Sequence, residues 1–150
     1  MKEKILVSAC LLGVNCKYNG SNNQTDELER KFNHIASKYE ILSICPEELG
    51  GLTTPREVAE IKDQKVFTKS GKDVTEQFLK GAKICADIAL QNGCKFAVLK
   101  SKSPSCGNKF IYDGSFSKTL KKGDGFTAKA LKQLGVKILD ENFSLDDIAK

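Results

Sequence analysis

Lys4-Ile5-Leu6-Val7-Ser8-Ala9, followed at once by Cys10, decides how this chain is read. The run is apolar, too short for a helix and without helical period, so it reads as a buried strand ending on a thiol. The rest of the chain keeps to an alternating plan. Thr25 stands as an N-cap before Asp26, Glu27 and Glu29, and Leu28, Phe32, Ile35, Ala36 and Tyr39 recur on one helix face. Glu40 to Ile44 is the next strand and stops at Cys45-Pro46. Ala59 to Lys62 and Lys65 to Thr68 flank Asp63-Gln64 as a β-hairpin. Thr75 is expected to cap a second helix, with Phe78, Ala82, Cys85 and Ala89 on its inner face and Gly93 at its end.

The third strand, Phe96 to Lys100, opens into the loop Ser101 to Asn108. Phe110 to Gly114 adds a short strand and a turn. A third helix is expected after Gly123 and Gly125, capped by Thr127 and closed by Gly135. Val136 to Leu139 is the last strand, and Ser144 starts a short terminal helix. Strand and helix in alternation predict an α/β fold with right-handed crossovers. The expected architecture is a three-layer sandwich with a small, mostly parallel, Rossmann-like sheet of about four strands plus a short β-hairpin. Residues 1–150 read as one domain, without internal repeat or linker-like tract.

Composition narrows the function. A hydrophobic content of 40% with 29% charged residues is that of a globular chain, not a disordered one. Its longest apolar runs are strand-sized, well short of the ~20 residues of a membrane span. With no leader-like segment after Met1, the expected location is the cytoplasm. The net charge of +5 is modest, the Lys are scattered and aromatics are only 7%, which disfavours a nucleic-acid face and leaves a pocket for an anionic or electron-rich small molecule. Six cysteines in such a chain raise the question of metal binding or thiol chemistry before that of disulfides.

In open α/β sheets, ligands bind beyond the carboxyl ends of the strands. Cys10 ends the first expected strand, Cys45 ends the second, and Cys106 lies in the loop after the third. The topology therefore brings three chain-distant thiols to one sheet edge, and Cys16 lies within reach of the same place. Cys85 and Cys94 read as small buried hydrophobes. There is no Cys-x-x-Cys pair and His34 is the only histidine, which fits a structural zinc poorly. Soft thiolates suit an iron–sulfur cluster, and three ligands on a cubane would leave one iron open. Beside them stand Glu47 and Glu48, the serines Ser101, Ser103 and Ser105, and the pairs Tyr18-Asn19 and Tyr112-Asp113, which offer aromatic and hydrogen-bonding groups for a flat heterocycle. Taken singly, each of these also reads as ordinary turn chemistry.

The ordered segments Val7 to Gly13, Cys45-Pro46-Glu47 with Gly50-Gly51-Leu52, Pro55-Arg56 with Ala59-Glu60, Asp73-Val74-Thr75, Ser103-Pro104-Ser105-Cys106-Gly107 and Ile111 to Gly114 resemble the microbial thiouracil desulfidase family over essentially the whole chain. The resemblance implies a 4Fe–4S cluster held by Cys10, Cys45 and Cys106, whose fourth iron takes the sulfur of a thiolated uracil. It implies a non-redox replacement of C=S by C=O with water. In that setting Glu47 is the expected base with Glu48 the second candidate, Ser101 and Ser103 orient the water or the pyrimidine and relay a proton to it, and Tyr18, Asn19, Glu48, Tyr112 and Asp113 contact the substrate. One departure stands out: Lys17-Tyr18-Asn19-Gly20 replaces the Arg-Tyr-Asp-Gly common in relatives. Two other classes compete, a sulfurtransferase carrying a persulfide on a thiol such as Cys16, and a non-enzymatic metal- or RNA-binding module.

Overall fold

In the computed structural model, which describes residues 2–148, the chain alternates strand and helix as its sequence pattern implies. The elements that build the core are β1 (Glu3–Ser8), α1 (Asp26–Ala36), β2 (Tyr39–Ile44), the single-turn α2 (Pro46–Leu49), β3 (Ala59–Lys62), β4 (Lys65–Thr68) and α3 (Thr75–Gln91). They continue with β5 (Phe96–Val98), β6 (Phe110–Tyr112), β7 (Leu120–Lys122), α4 (Phe126–Gln133) and β8 (Lys137–Leu139). Strands β2, β1, β5 and β8 form one parallel sheet in that order. Two antiparallel pairs, β3 with β4 and β6 with β7, stand beside it.

Side chains alternate across each strand, and the sheet separates two apolar layers accordingly. Leu6, Ala97 and Leu99 face Cys85 and Ala89 of α3 and Ala128 and Leu131 of α4. Ile5, Val7 and Val98 face Leu28, Phe32 and Ile35 of α1, with Phe143 and Ile148 closing that side. Ile61, Val66, Val74, Phe78 and Ile111 make a third cluster beneath the antiparallel pairs. Cys85 and Cys94 both lie buried in the first layer. No helix among the described residues is long and apolar enough to cross a membrane.

Local signals succeed where they are local. Thr25 Oγ1 accepts the Leu28 N–H at 3.2 Å and starts α1, and Asp63 and Gln64, both at positive φ, turn the β3–β4 hairpin. Two expected caps are corrected. Thr75 is the first helical residue of α3, and its hydroxyl instead accepts the Val66 N–H at 2.9 Å. Thr127 lies inside α4, fully buried, and Gly125 is the N-cap. A side chain at Gly125 would stand 2.5 Å from the Ser105 carbonyl, so close backbone approach selects the residue there. Tyr39, expected on the face of α1, begins β2.

A close backbone contact lies under the turn that carries Cys45. A Cβ on Gly50 would fall 1.9 Å from the Gln77 carbonyl oxygen, and one on Gly81 would fall 1.9 Å from the Pro46 carbonyl oxygen. Helices α2 and α3 thus touch backbone to backbone. Gly81→Ala forces them apart, and an overpacked contact of this kind costs about 1–3 kcal/mol. The expected result is a melting temperature lower by roughly 2–12 °C. Lys80→Ala, on the exposed side of the same helix, should leave it within error of the parent.

Candidate active site

Strand β1 pairs with β2 on one side and with β5 on the other, so the chain reverses its direction of winding between β1 and β5. A crevice opens beyond the carboxyl ends of the strands at such a switch point. Here it is a cavity of about 510 Å³ lined by Cys10, Cys16, Cys45 and Cys106, each delivered by a different turn of chain. Ser8 closes its floor. Its hydroxyl accepts the Lys100 N–H at 3.0 Å and donates to Cys106 Sγ at 3.3 Å, joining the ends of β1 and β5 to the third thiol.

The loop that carries Cys106 is fixed from both sides. Ser103 Oγ accepts the Cys106 N–H at 2.7 Å, and Ser103 O accepts the Gly107 N–H at 2.9 Å. From outside, the first turn of α4 docks on the same loop, with Thr127 N and Ala128 N donating to Ser105 O at 2.9 and 3.1 Å. Ser105 Oγ, 2% exposed as a residue, donates to Glu47 Oε2 at 2.9 Å. Glu47 Oε1 in turn accepts from Arg56 Nε at 3.1 Å. The Arg56 fork continues to Cys16 O at 2.9 Å and Thr54 Oγ1 at 2.8 Å, so one guanidinium ties the carboxylate to the loop after β1.

A second carboxylate serves the opposite wall. Glu141 Oε2 accepts from Lys100 Nζ at 2.6 Å and Ser101 Oγ at 2.8 Å, while its Oε1 accepts the Ser101 N–H at 2.9 Å. Burial opposes the charge on Glu141, but these donors outweigh it and hold the carboxyl below its ordinary range.

The thiols divide into two kinds. Cys16 and Cys45 lie side by side, with Cys45 Sγ donating to Cys16 O at 3.8 Å, and their interaction pushes the Cys16 thiol up and holds Cys45 below the usual thiol range. Burial raises Cys10, against the Asn23 Nδ2 donor at 3.3 Å, and pushes the enclosed Cys106 up to about 12. All four are free thiols. Among the described residues, no three His, Cys, Asp or Glu side chains converge closely enough to hold a single metal ion.

Of the residues singled out in the sequence, the cavity wall contains the three cysteines, Glu47, Ser101, Ser103, Tyr18 and Tyr112. Three others turn elsewhere. Asn19 Oδ1 accepts from Ser21 Oγ at 2.6 Å, Asp113 Oδ1 accepts from Ser115 Oγ at 2.6 Å, and Glu48 is bonded to Thr54. The structure adds Ser8, Arg56, Glu60 and Phe116 to the wall and Glu141 behind it. Arg56 and Glu60 belong to the Pro55-Arg56 and Ala59-Glu60 segments, whereas no local pattern marks Phe116 or Glu141.

Comparison with known proteins agrees with this layout. The sequence profile described as 2-thiouracil desulfurase matches residues 5–142. YbbK of Bacillus subtilis (strain 168), an uncharacterized protein, is 40% identical over 154 residues, spanning 96% of this chain and 99% of its own. A solved structure of a 4Fe–4S-dependent thiouracil desulfidase, TudS, aligns with a TM-score of 0.88 at 40% identity, over 94% of this chain and 92% of that one. This chain therefore belongs to the 2-thiouracil desulfurase family, enzymes that remove sulfur from thiouracil.

Proposed function

We propose that the chain desulfurises a thiolated pyrimidine at a 4Fe–4S cluster held by Cys10, Cys45 and Cys106, with no net redox change. The observation that carries this reading is the arrival of these thiols at one cavity from three adjacent parallel strand ends. The donor set fits such a group. It is soft and all-sulfur, and hydroxyl and amide donors from Ser8 and Asn23 already point at two of the sulfurs. The thiols line one cavity of about 510 Å³, which has room for a body larger than a single ion. The 4Fe–4S dependence of TudS supports the same assignment. Free thiols throughout also suit a reducing compartment such as the cytoplasm.

When bound, the cluster would supply a soft Lewis acid for the thiocarbonyl sulfur at the position the three cysteines leave open. The chain's own groups do the rest. Glu47 takes the proton of the attacking water at Oε2, directly or through the Ser105 hydroxyl that already donates to it. Arg56 fixes the carboxylate's orientation by holding its other oxygen. Ser101, locked by Glu141 and Lys100, offers an ordered hydroxyl on the facing wall, where it orients the water or the ring. Ser103 shapes the cysteine loop through Cys106 N and lies 3.3 Å from Ser105 Oγ. Overall a C–O bond replaces C–S, water supplies the oxygen, and sulfur leaves as sulfide.

Cys10→Ser, Cys45→Ser and Cys106→Ser should each abolish bound iron and broad visible absorption in protein purified without oxygen. Cys85→Ala, deep in the α3 layer, should keep both. Full iron in any of the three serine variants removes that cysteine from the ligand set. Glu47→Gln should retain iron and lose turnover by about 10² to 10⁴-fold, the usual contribution of a positioned proton acceptor. Unchanged turnover per cluster, with only a lower melting temperature, would reduce Glu47 to an anchor for Arg56.

A further inference from the structure

Glu60 is 6% exposed, lines the cavity, and has no cation within ion-pair distance among the described residues. Its Oε1 accepts two backbone N–H groups, from Gly114 at 3.0 Å and Phe116 at 3.1 Å. Its Oε2 makes no hydrogen bond among the described residues, yet it is not sealed off as Thr127 Oγ1 and Asn108 Oδ1 are. A nine-tenths-buried carboxylate with one idle oxygen is costly unless a donor arrives from the space it faces.

The same carboxylate shapes the wall beside it. By holding the Gly114 and Phe116 amides it fixes a loop in which both residues stand at positive φ, 94° and 58°. A side chain at Gly114 would come within 2.7 Å of Lys62 Cβ, so the loop lies hard against β3. It brings Phe116 to the cavity alongside Tyr112 and Tyr18. A flat ring therefore meets aromatic surface and, next to it, an acceptor with spare capacity.

We infer that Glu60 is a specificity-determining residue, whose Oε2 accepts a neutral N–H or O–H of the substrate while its Oε1 holds the aromatic loop. This rests on the desulfidase reading and names a contact within it. A thiolated uracil offers such donors in its ring N–H groups, and a nucleoside form offers sugar hydroxyls as well. A thiolated aromatic ring lacking such donors would leave the carboxylate unpaired and be rejected.

Glu60→Gln separates the two duties. Gln Oε1 still accepts from Gly114 and Phe116, which turns the amide Nε2 towards the cavity, donor against donor. Expected for the cluster-loaded enzyme are unchanged iron content and melting temperature, kcat within a few-fold, and KM for 2-thiouracil and Kd for uracil raised roughly 10- to 100-fold. N-methylation of the ring nitrogen facing Glu60 should weaken binding to the parent protein and cost nothing further in the variant. A loss seen with 2-thiouridine and absent with the free base assigns the contact to a sugar hydroxyl. Parent-like KM and Kd for base and nucleoside in Glu60→Gln overturn the inference while leaving the desulfidase reading intact. Should the variant unfold, equal affinity of the parent protein for 2-thiouracil, its two N-methyl forms and 2-thiouridine overturns it instead. A parent enzyme that holds its cluster but neither binds nor desulfurises any of them sinks the functional reading, and this contact with it.

Discussion

The site depends on one partly buried ion pair. Arg56 and Glu47, with side chains 9% and 17% exposed, meet where the turn after β2 approaches the loop after β1. Those segments have no sheet register to align them, since each has already left its strand. The guanidinium supplies the alignment because its donors lie in one rigid plane. One edge takes Glu47, and the rest take Cys16 O, Thr53 O and Thr54 Oγ1. A backbone bond from Arg56 N to Tyr18 O at 2.7 Å draws the same loop in. A lysine would put a point charge there and leave several of these acceptors unsatisfied. Since Cys45 and Glu47 share the α2 turn, holding the carboxylate also holds the thiol.

Sheet topology explains why the thiols meet without any sequence proximity. Parallel strands all release their chains at the same edge, and β1 lies between β2 and β5. The last paired residues are Ser8 against Ile44 and Val7 against Val98, so Cys10 and Cys45 emerge immediately beyond the register. Cys106 must travel farther, and its loop is correspondingly more strongly braced, by Ser103 within and by α4 outside. The brace has a cost: Thr127 is carried into the core with its hydroxyl unpaired. That position admits the backbone of Gly125 against Ser105 only when α4 begins at Phe126.

This also marks the limit of what the sequence discloses. Patterns of short range are readable: the β1 run, the Thr25 cap, the Asp63-Gln64 turn and the strand-ending positions of Cys10 and Cys45. Misreadings arise where a polar residue has a local and a distant partner to choose from. Thr75 and Thr127 look like caps, yet tertiary contacts claim both positions. Asn19, Glu48 and Asp113, read as ligand-binding groups, each hydrogen-bond a residue no more than six positions away. Glu141 lies 41 residues from Lys100, and Glu60 lies 54 from Gly114, so no spacing rule could pair them. Strand β7 carries no pattern of its own, because Leu120-Lys121-Lys122 is held by its pairing with β6, whose Ile111 reaches the third apolar cluster.

Around one cavity the fold keeps three carboxylates in three different electrostatic settings. Glu141 is shared among an ammonium, an amide and a hydroxyl, and so remains charged and fixed. Glu47 balances the Arg56 guanidinium on one oxygen against the Ser105 hydroxyl on the other. Glu60 has only backbone amides on one oxygen and, among the described residues, nothing on the second. In the proposed mechanism these chemically identical groups take the parts of an orienting anchor, a proton acceptor and an acceptor for a neutral donor. Division of this kind follows from partners, not from residue type. Lys100 and Ser105 flank the loop after β5, which Glu141 and Glu47 brace at its two ends, whereas Arg56 precedes β3 and the Gly114–Phe116 loop held by Glu60 follows β6.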